Sequence, residues 1–119
     1  MKTISHAFVI CLVILLTSCS SKTYIPLAEK REIPDNEESC KKVSGSWTRL
    51  GVSSSYTCDL KSNDVNKICT DNTQCEGSCL LRSWNETTHE PIGSCSEYLI
   101  NYGCYSYLEN NNVRSLCAS

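Results

Sequence analysis

Large apolar residues are scarce in this chain. Phe8 is the only phenylalanine and Met1 the only methionine, so a core has to be assembled from Leu, Val, Ile, six tyrosines, Trp47, Trp84 and cystines. No apolar run approaches the roughly 20 residues that a membrane-spanning helix needs; the longest, Ala7 to Leu16, is about half that. Charge of one sign is missing too. Lys+Arg number 11 against 13 for Asp+Glu, a formal net charge of −2, with no basic stripe that would suit nucleic acid. There is no C-x-x-C, which removes the paired thiolates of a structural zinc site and of a dithiol oxidoreductase. His6 lies ahead of the apolar run, which leaves His89, between Thr88 and Glu90, as the one imidazole in the rest of the chain. Gly93-Ser94-Cys95 lacks the spacing of a nucleophile elbow. Asp59, Asp64, Asp71 and Glu76 fall in polar stretches that read as solvated surface, not as a catalytic carboxylate pair. The expectation is a protein with no catalytic residues, no metal and no cofactor.

What the chain does have is cysteine. Ten in 119 residues is at the level of a disulfide scaffold in a short exported protein. The N-terminus fits export: Lys2 supplies a positive n-region, and Ala7 to Leu16 (AFVICLVILL) has the length of a signal-peptide h-region. Leu16-Thr17-Ser18-Cys19 closes that run, and this pattern of an aliphatic residue, two small residues and a cysteine resembles the lipobox of bacterial lipoprotein signal peptides. The resemblance implies cleavage between Ser18 and Cys19, with Cys19 becoming the lipidated (palmitate-bearing) first residue. Membrane attachment would then be through lipid. Bacterial lipoproteins as a class carry three acyl chains there, and at about 0.8 kcal/mol per buried methylene such an anchor is effectively permanent. Ser20 follows the cysteine; in the enterobacterial sorting pattern aspartate at that place favours inner-membrane retention, so serine implies the outer membrane of a Gram-negative cell envelope. The competing reading is ordinary secretory cleavage after Ser20 or Ser21, which gives a secreted, non-lipidated protein.

Three segments follow: residues 1–18 as lipoprotein signal peptide, 19–39 as lipidated N-terminus and flexible tether, and 40–119 as a cysteine-rich domain. Ser20 to Ser39 holds Pro26, Pro34, mixed charges and no cysteine, the composition of a semi-extended linker. Leu27 to Arg31 is long enough for a transient turn, and Tyr24-Ile25-Pro26-Leu27 for a docking peptide. With Cys11 discarded and Cys19 lipidated, eight cysteines are left, and eight allow 105 pairings.

Strand signals dominate the domain, and the expected fold is small, disulfide-rich and mainly β, with short hairpins and four disulfides. Trp47 to Leu50 and Ser55 to Cys58 flank Gly51 to Ser54 as a first hairpin, which a Cys40–Cys58 bridge would close. Cys58 to Thr73 is polar and reads as loop. Leu80 to Trp84 and Ser94 to Leu99 are placed to pair across Asn85 to Gly93. Cys104 to Leu108 and Val113 to Cys117 surround Glu109-Asn110-Asn111-Asn112, and asparagine tolerates the positive φ of a tight turn. Pairing Leu108 with Val113 sets Cys104 across from Cys117, which permits a bridge if that pair is of the close, non-hydrogen-bonded kind. The middle four cysteines resemble small cystine-rich modules of the epidermal-growth-factor type. That likeness implies interlocked bridges, Cys69 with Cys79 and Cys75 with Cys95; the alternative, Cys79 with Cys95 and Cys69 with Cys75, stays open.

Asp64-Val65-Asn66-Lys67 followed by C-x5-C-x3-C over Cys69, Cys75 and Cys79, with Gly103-Cys104 and Cys117, resembles a group of small uncharacterised cysteine-rich exported bacterial proteins. Asn66 stands where glycine is usual there, and Ala118 where valine is expected. This likeness implies a fold and a compartment and brings no activity with it. Asn85-Glu86-Thr87 matches a glycosylation acceptor, which a bacterial lipoprotein would carry by chance. The functional expectation is a lipid-anchored binding or inhibitor-like module facing an envelope or extracellular protein, with Trp47, Trp84, Tyr105 and Tyr107 as contact residues. Core filling is the competing role for those four. The alternatives at the level of the whole protein are a structural envelope component without a specific ligand and a secreted inhibitor or toxin-like protein.

Overall fold

A computed structural model describes residues 26–119. Ser18 and Cys19, and with them cleavage and lipidation, lie outside the described residues, as does residues 1–18 as a whole and the Tyr24-Ile25 half of the docking peptide. Among the described residues there are one α-helix, α1 (Glu37–Lys42), and seven strands: β1 (Ser46–Thr48), β2 (Thr57–Asp59), β3 (Ile68–Cys69), β4 (Cys79–Trp84), β5 (Pro91–Cys95), β6 (Gly103–Glu109) and β7 (Asn112–Ala118). β1 and β2 form a two-stranded antiparallel sheet; the rest form a five-stranded antiparallel sheet in the order β3-β5-β4-β6-β7. The protein is a small disulfide-rich, mainly β domain with four bridges: Cys40–Cys58, Cys69–Cys79, Cys75–Cys95 and Cys104–Cys117. Of the two arrangements open to the middle four cysteines, the structure has the crossed one. Among the described residues no helix is long and apolar enough to cross a membrane.

α1 is short and set by its ends. Asn36 caps it by accepting a hydrogen bond from Ser39 N at 2.9 Å, Glu37 and Glu38 sit in the first turn, and Lys41 and Lys42 in the last. The helix starts inside the stretch expected to be a tether and buries Cys40. Cys40–Cys58 therefore joins a helix to β2 and does not merely close a hairpin. Gly45 is required just beyond: a Cβ there would lie 2.5 Å from Cys58 Sγ and 2.8 Å from Cys40 Sγ.

Two expected hairpins are shifted. In the first, Trp47 faces Cys58 and Thr48 faces Thr57, so the connection runs from Arg49 to Tyr56, longer than the Gly51–Ser54 turn. The strands part because Leu50 turns inward to near-complete burial, while Arg49 lies over the Tyr56 ring, 4.9 Å from its centroid. In the second, the partner of β4 is Pro91–Cys95, not Ser94–Leu99, across a turn from Asn85 to Glu90. Ser96 to Leu99 leave the sheet and dock on the 60–62 loop, with Leu99 N donating to Leu60 O at 2.9 Å and Ser62 N to Glu97 O at 2.8 Å. The polar stretch from Cys58 to Thr73 is mostly loop, but Ile68–Cys69 adds to the sheet as β3.

The last hairpin keeps the register Leu108↔Val113 and Cys104↔Cys117. Its strands run one pair closer to the turn, Glu109↔Asn112, leaving Asn110 and Asn111 at φ 49° and 60° as a two-residue turn of the primed type. The tip is tied to the body: Asn111 N donates to Thr70 O at 2.9 Å and Asn110 N to Asp71 Oδ2 at 2.5 Å.

The interior differs from the expected aromatic filling. One cluster consists of Cys69, Cys75, Cys79, Cys95 and Leu108, backed by Leu81 and Val113; a second holds Cys40, Cys58 and Leu60, backed by Trp47 and Leu99. No aromatic side chain among the described residues is fully buried, because three cystines already occupy the interior that a Trp or Tyr would need.

Candidate binding face

Strand alternation and the register together assemble one surface. Leu108 and Val113 point into the cystine core, so Tyr107 and Arg114 point the other way. Reading across the sheet, Ile68 faces Ser94, Ser94 faces Leu80, Leu80 faces Tyr107, and Tyr107 faces Arg114. This is one continuous row over all five strands. Tyr105 and Leu116 form the next pair on the same side, with the Tyr105 and Tyr107 rings 6.2 Å apart and tilted. Ile68 and Leu116 are exposed, and Leu80, Tyr105 and Tyr107 are half-buried. Toward β5 and β4 this side is flanked by Asp59 and by the 61–66 and 97–102 loops, and Ser94 within the row is buried, so its open part is the end formed by Tyr105, Tyr107, Arg114 and Leu116.

Two arginines frame the row. Arg82 sits where β4 shifts register against β5, and its Nε donates to Ser94 Oγ at 2.6 Å, which holds the guanidinium over the middle of the face. Arg114 is held at the outer strand by Glu109, Nε to Oε2 at 3.3 Å. Beside Leu80 and Arg82 the surface dips into a depression of about 340 Å³ that also takes in Asp59, Glu97, Tyr98 and Tyr102. Burial raises the Asp59 carboxyl above its ordinary value. The arrangement presents aliphatic and aromatic side chains beside cations on a frame fixed by covalent bridges. It suits a flat apolar contact that also carries carboxylates.

The four aromatics singled out from the sequence do not form one surface. Tyr105 and Tyr107 belong to the row. Trp84 stands exposed at the end of β4, and Trp47 lies in the other sheet, stacked on Tyr56 with rings 6.4 Å apart. Sequence reasoning missed Arg82, Leu80 and Ile68, whose common position follows only from the strand order. His89 occupies the 85–90 turn at φ 57°, exposed, with its N–H donating to Asn85 O at 2.9 Å. The Asn85 side chain accepts from Thr87 N and Thr88 N, both at 2.9 Å.

Three of the four acidic residues read as solvated surface, Asp64, Asp71 and Glu76, have structural work. Glu76 is the hub of a polar clamp: its carboxylate accepts from Asn63 N (2.6 Å), Asn63 Nδ2 (3.1 Å) and Arg31 Nη2 (3.1 Å). Arg31 Nε stands 3.1 Å from Oε1 as an ion-pair contact without hydrogen-bond alignment. Arg31 also donates to Lys61 O at 2.5 Å, and Lys30 Nζ to Gly77 O at 2.8 Å and Asn72 O at 3.2 Å. With Ala28 N on Thr73 O, these bonds lay the end of the expected tether along the domain as a strap. Burial lowers the Lys30 pKa, opposed by the nearby charges of Asp64, Asp71 and Glu76. Asp64 joins the same clamp, accepting from Ser62 Oγ and from Glu76 N. Asp71 caps the 3₁₀ turn in a capping box with Gln74; its pKa is lowered by the hydrogen bond from the Thr73 hydroxyl and by the N–H groups of Asn110 and Thr73. Three sulfurs, of Cys69, Cys75 and Cys79, lie within 4.8 Å of one another, but all are spent in disulfides and offer no thiolate to a metal.

No protein-family model matches the chain, and neither a curated protein nor a solved structure is similar to it at a level that counts as a match.

Proposed function

We propose that this chain is a lipid-anchored protein of the bacterial cell envelope whose disulfide-stapled domain is a binding or inhibitor-like module, without enzymatic activity of its own. The observation that carries the binding half is the row Ile68–Leu80–Tyr107–Arg114 with Arg82, a partly exposed apolar and cationic sheet face on a frame that crossed cystines hold rigid. A preorganised face loses little conformational freedom on association, which favours recognition of a partner protein over a structural filler role. The partner chemistry that fits is an apolar protein surface bearing carboxylates. The anchoring half rests on the lipobox-like Leu16-Thr17-Ser18-Cys19.

Intact mass of the mature protein, with and without reduction, tests the anchor. A chain beginning at acylated Cys19 that gains eight mass units on reduction (two per bridge) supports it; a bare first residue removes it. Co-purification from envelope extract tests the face. The expected result is one stoichiometric partner, retained by Val52→Ala and lost by Tyr107→Ala and by Arg114→Glu. A partner that persists with both face variants, or none at all, returns the domain to a structural envelope role.

A further inference from the structure

We propose that the outer edge of β7 is an assembly edge, at which β7 of a second copy of this chain adds antiparallel, centred on Ser115. In the two-residue hairpin the pair next to the turn, Glu109↔Asn112, is hydrogen-bonded, and bonding alternates outward from it. Asn112, Arg114, Leu116 and Ala118 therefore spend their backbone groups on β6. Val113, Ser115 and Cys117 direct their N–H and C=O outward, and the 4.0 Å Cα separation of Cys104 and Cys117 agrees with the close spacing of a non-bonded pair. Among the described residues no backbone hydrogen bond reaches those three from elsewhere.

Natural sheets blunt such an edge with proline, lysine, a bulge or a cover. β7, Asn-Val-Arg-Ser-Leu-Cys-Ala, has none of these: its register against β6 is unbroken over seven pairs, and Arg114 is its one charge. The edge is also stiff, pinned at its tip by Asn110 and Asn111 on Asp71 and Thr70, and stapled near its far end by Cys104–Cys117.

The strand is complementary to itself in one register. Centred on Ser115, it faces Ser115 of the partner subunit, while Val113 faces Cys117 of the partner subunit and the reverse; all three outward residues then exchange both bonds. Arg114 falls opposite Leu116 of the partner subunit, so the two guanidinium groups are not opposed, and the apolar row continues across the junction. Centring on Arg114 would set like charges face to face, which destabilises a cross-strand pair. Centring on Leu116 would leave Val113 outside the ladder. The opposite edge, β3, is only two residues long, too short to template a seven-residue strand, and Thr70 O just beyond it is already taken by Asn111 N. Head-to-tail growth therefore has no acceptor, and the pairing closes as a two-fold dimer.

The test uses the full mature chain carrying Cys19→Ser, so that no acyl chain contributes to association. Sedimentation velocity over a concentration series should show a reversible dimer, and amide exchange should show Val113, Ser115 and Cys117 protected at high concentration and unprotected on dilution. Ser115→Pro removes the outward donor while leaving the β6–β7 ladder intact, and Ser115→Lys guards the edge with charge. Each should weaken the dimer about tenfold to a hundredfold with four disulfides retained. A monomer at every concentration, edge protection independent of concentration, or folded variants that dimerise as well as the original would each overturn the proposal. The exchange measurement on the unaltered edge decides the matter even if both variants fail to fold.

Discussion

The body of the domain and its β6–β7 hairpin use the same covalent bond for different ends. In the body, Cys40–Cys58, Cys69–Cys79 and Cys75–Cys95 are at most 1% exposed and constitute most of the core. In the hairpin, Cys104 and Cys117 are exposed, and the bridge spans two strands that already share a seven-pair ladder. Loop entropy does not separate the two cases. For separations of 20 and 13 residues, Cys75–Cys95 and Cys104–Cys117 differ by only about 0.4 kcal/mol on the chain-entropy model. The difference has to come from what each cystine touches: one fills volume, the other ties strands that the turn and ladder already register. A cystine in a small domain can thus stand in for Phe and Met, neither of which occurs among the described residues.

Removing bridges gives the largest effect. Cys75→Ala with Cys95→Ala loses about 3 kcal/mol of loop constraint and leaves a void worth about 2 kcal/mol more. Against the 5–15 kcal/mol of a typical domain, the expected outcome is loss of the cooperative thermal transition or a fall in Tm of more than about 15 °C. Cys104→Ala with Cys117→Ala loses the loop term alone, so its Tm should stay well above that of the body variant. Mild thiol should open Cys104–Cys117 first, because a solvent thiolate can reach it. Equal Tm values, or a body bridge reduced first, would erase the distinction between filler and staple.

Glycine substitutions sharpen the same contrast at lower cost. A Cβ at Gly93 would sit 2.5 Å from Cys79 Sγ, 2.7 Å from Leu108 Cδ1 and 2.8 Å from Cys69 O, atoms that a crossed bridge and a β-ladder hold in place. Gly93→Ala should cost about 3 kcal/mol by denaturant titration. At Gly103 nothing lies within 4 Å, and only its φ of 77° opposes a side chain, so Gly103→Ala should cost about 1 kcal/mol. A larger loss at Gly103 would mean that the hairpin is as tightly packed as the body.

The smallest expected effect concerns the joint between the regions. Asp71 has a folded pKa below its ordinary carboxylate value, so its contribution is present above that ordinary value and lost as pH falls through the folded one. Between about pH 5 and about pH 3 the Asn110 amide should exchange progressively faster relative to amides of the body. Asp71→Asn should remove that pH dependence. An Asn110 amide equally protected at both ends of the range would show that the tip is held by Asn111 on Thr70 alone.

The hairpin was legible because a two-residue period and a run of asparagines leave little freedom: once Leu108 meets Val113, every other pair follows. β5 was not, because Pro91 and Gly93 both argue against a strand. Pro91 is tolerated as its first residue, and Gly93 is glycine for lack of room beside Cys79, a reason that exists only in three dimensions. Asn66 departs from the glycine of the resembling sequences; its φ of 65° is one that asparagine also adopts, so the backbone need is met. The strap reads as linker in the sequence because Lys30 and Arg31 bond to the backbone carbonyls of Asn72, Gly77 and Lys61, and carbonyls leave no trace in a sequence. The open face depends on strand order, and no local pattern in Leu80, Arg82 or Ile68 announces it. Size alone points Tyr and Trp inward; the cystines take the centre instead, with Trp47 packed against one of the two clusters.

The crossed bridges carry a cost in the making of the molecule. Register sets Cys79 directly opposite Cys95, yet each is bonded elsewhere, Cys79 to Cys69 and Cys95 to Cys75. If β4 and β5 zip together before oxidation is complete, the sheet itself brings the wrong two sulfurs together. Escape requires thiolate attack on that bond from a neighbour, and the sulfurs of Cys69 and Cys75 are close enough to deliver it. Maturation is then an editing problem: the swap makes Cys69–Cys79 and releases the Cys95 thiolate, an oxidant then joins Cys95 to Cys75, and a catalyst of disulfide exchange in its compartment would set the yield.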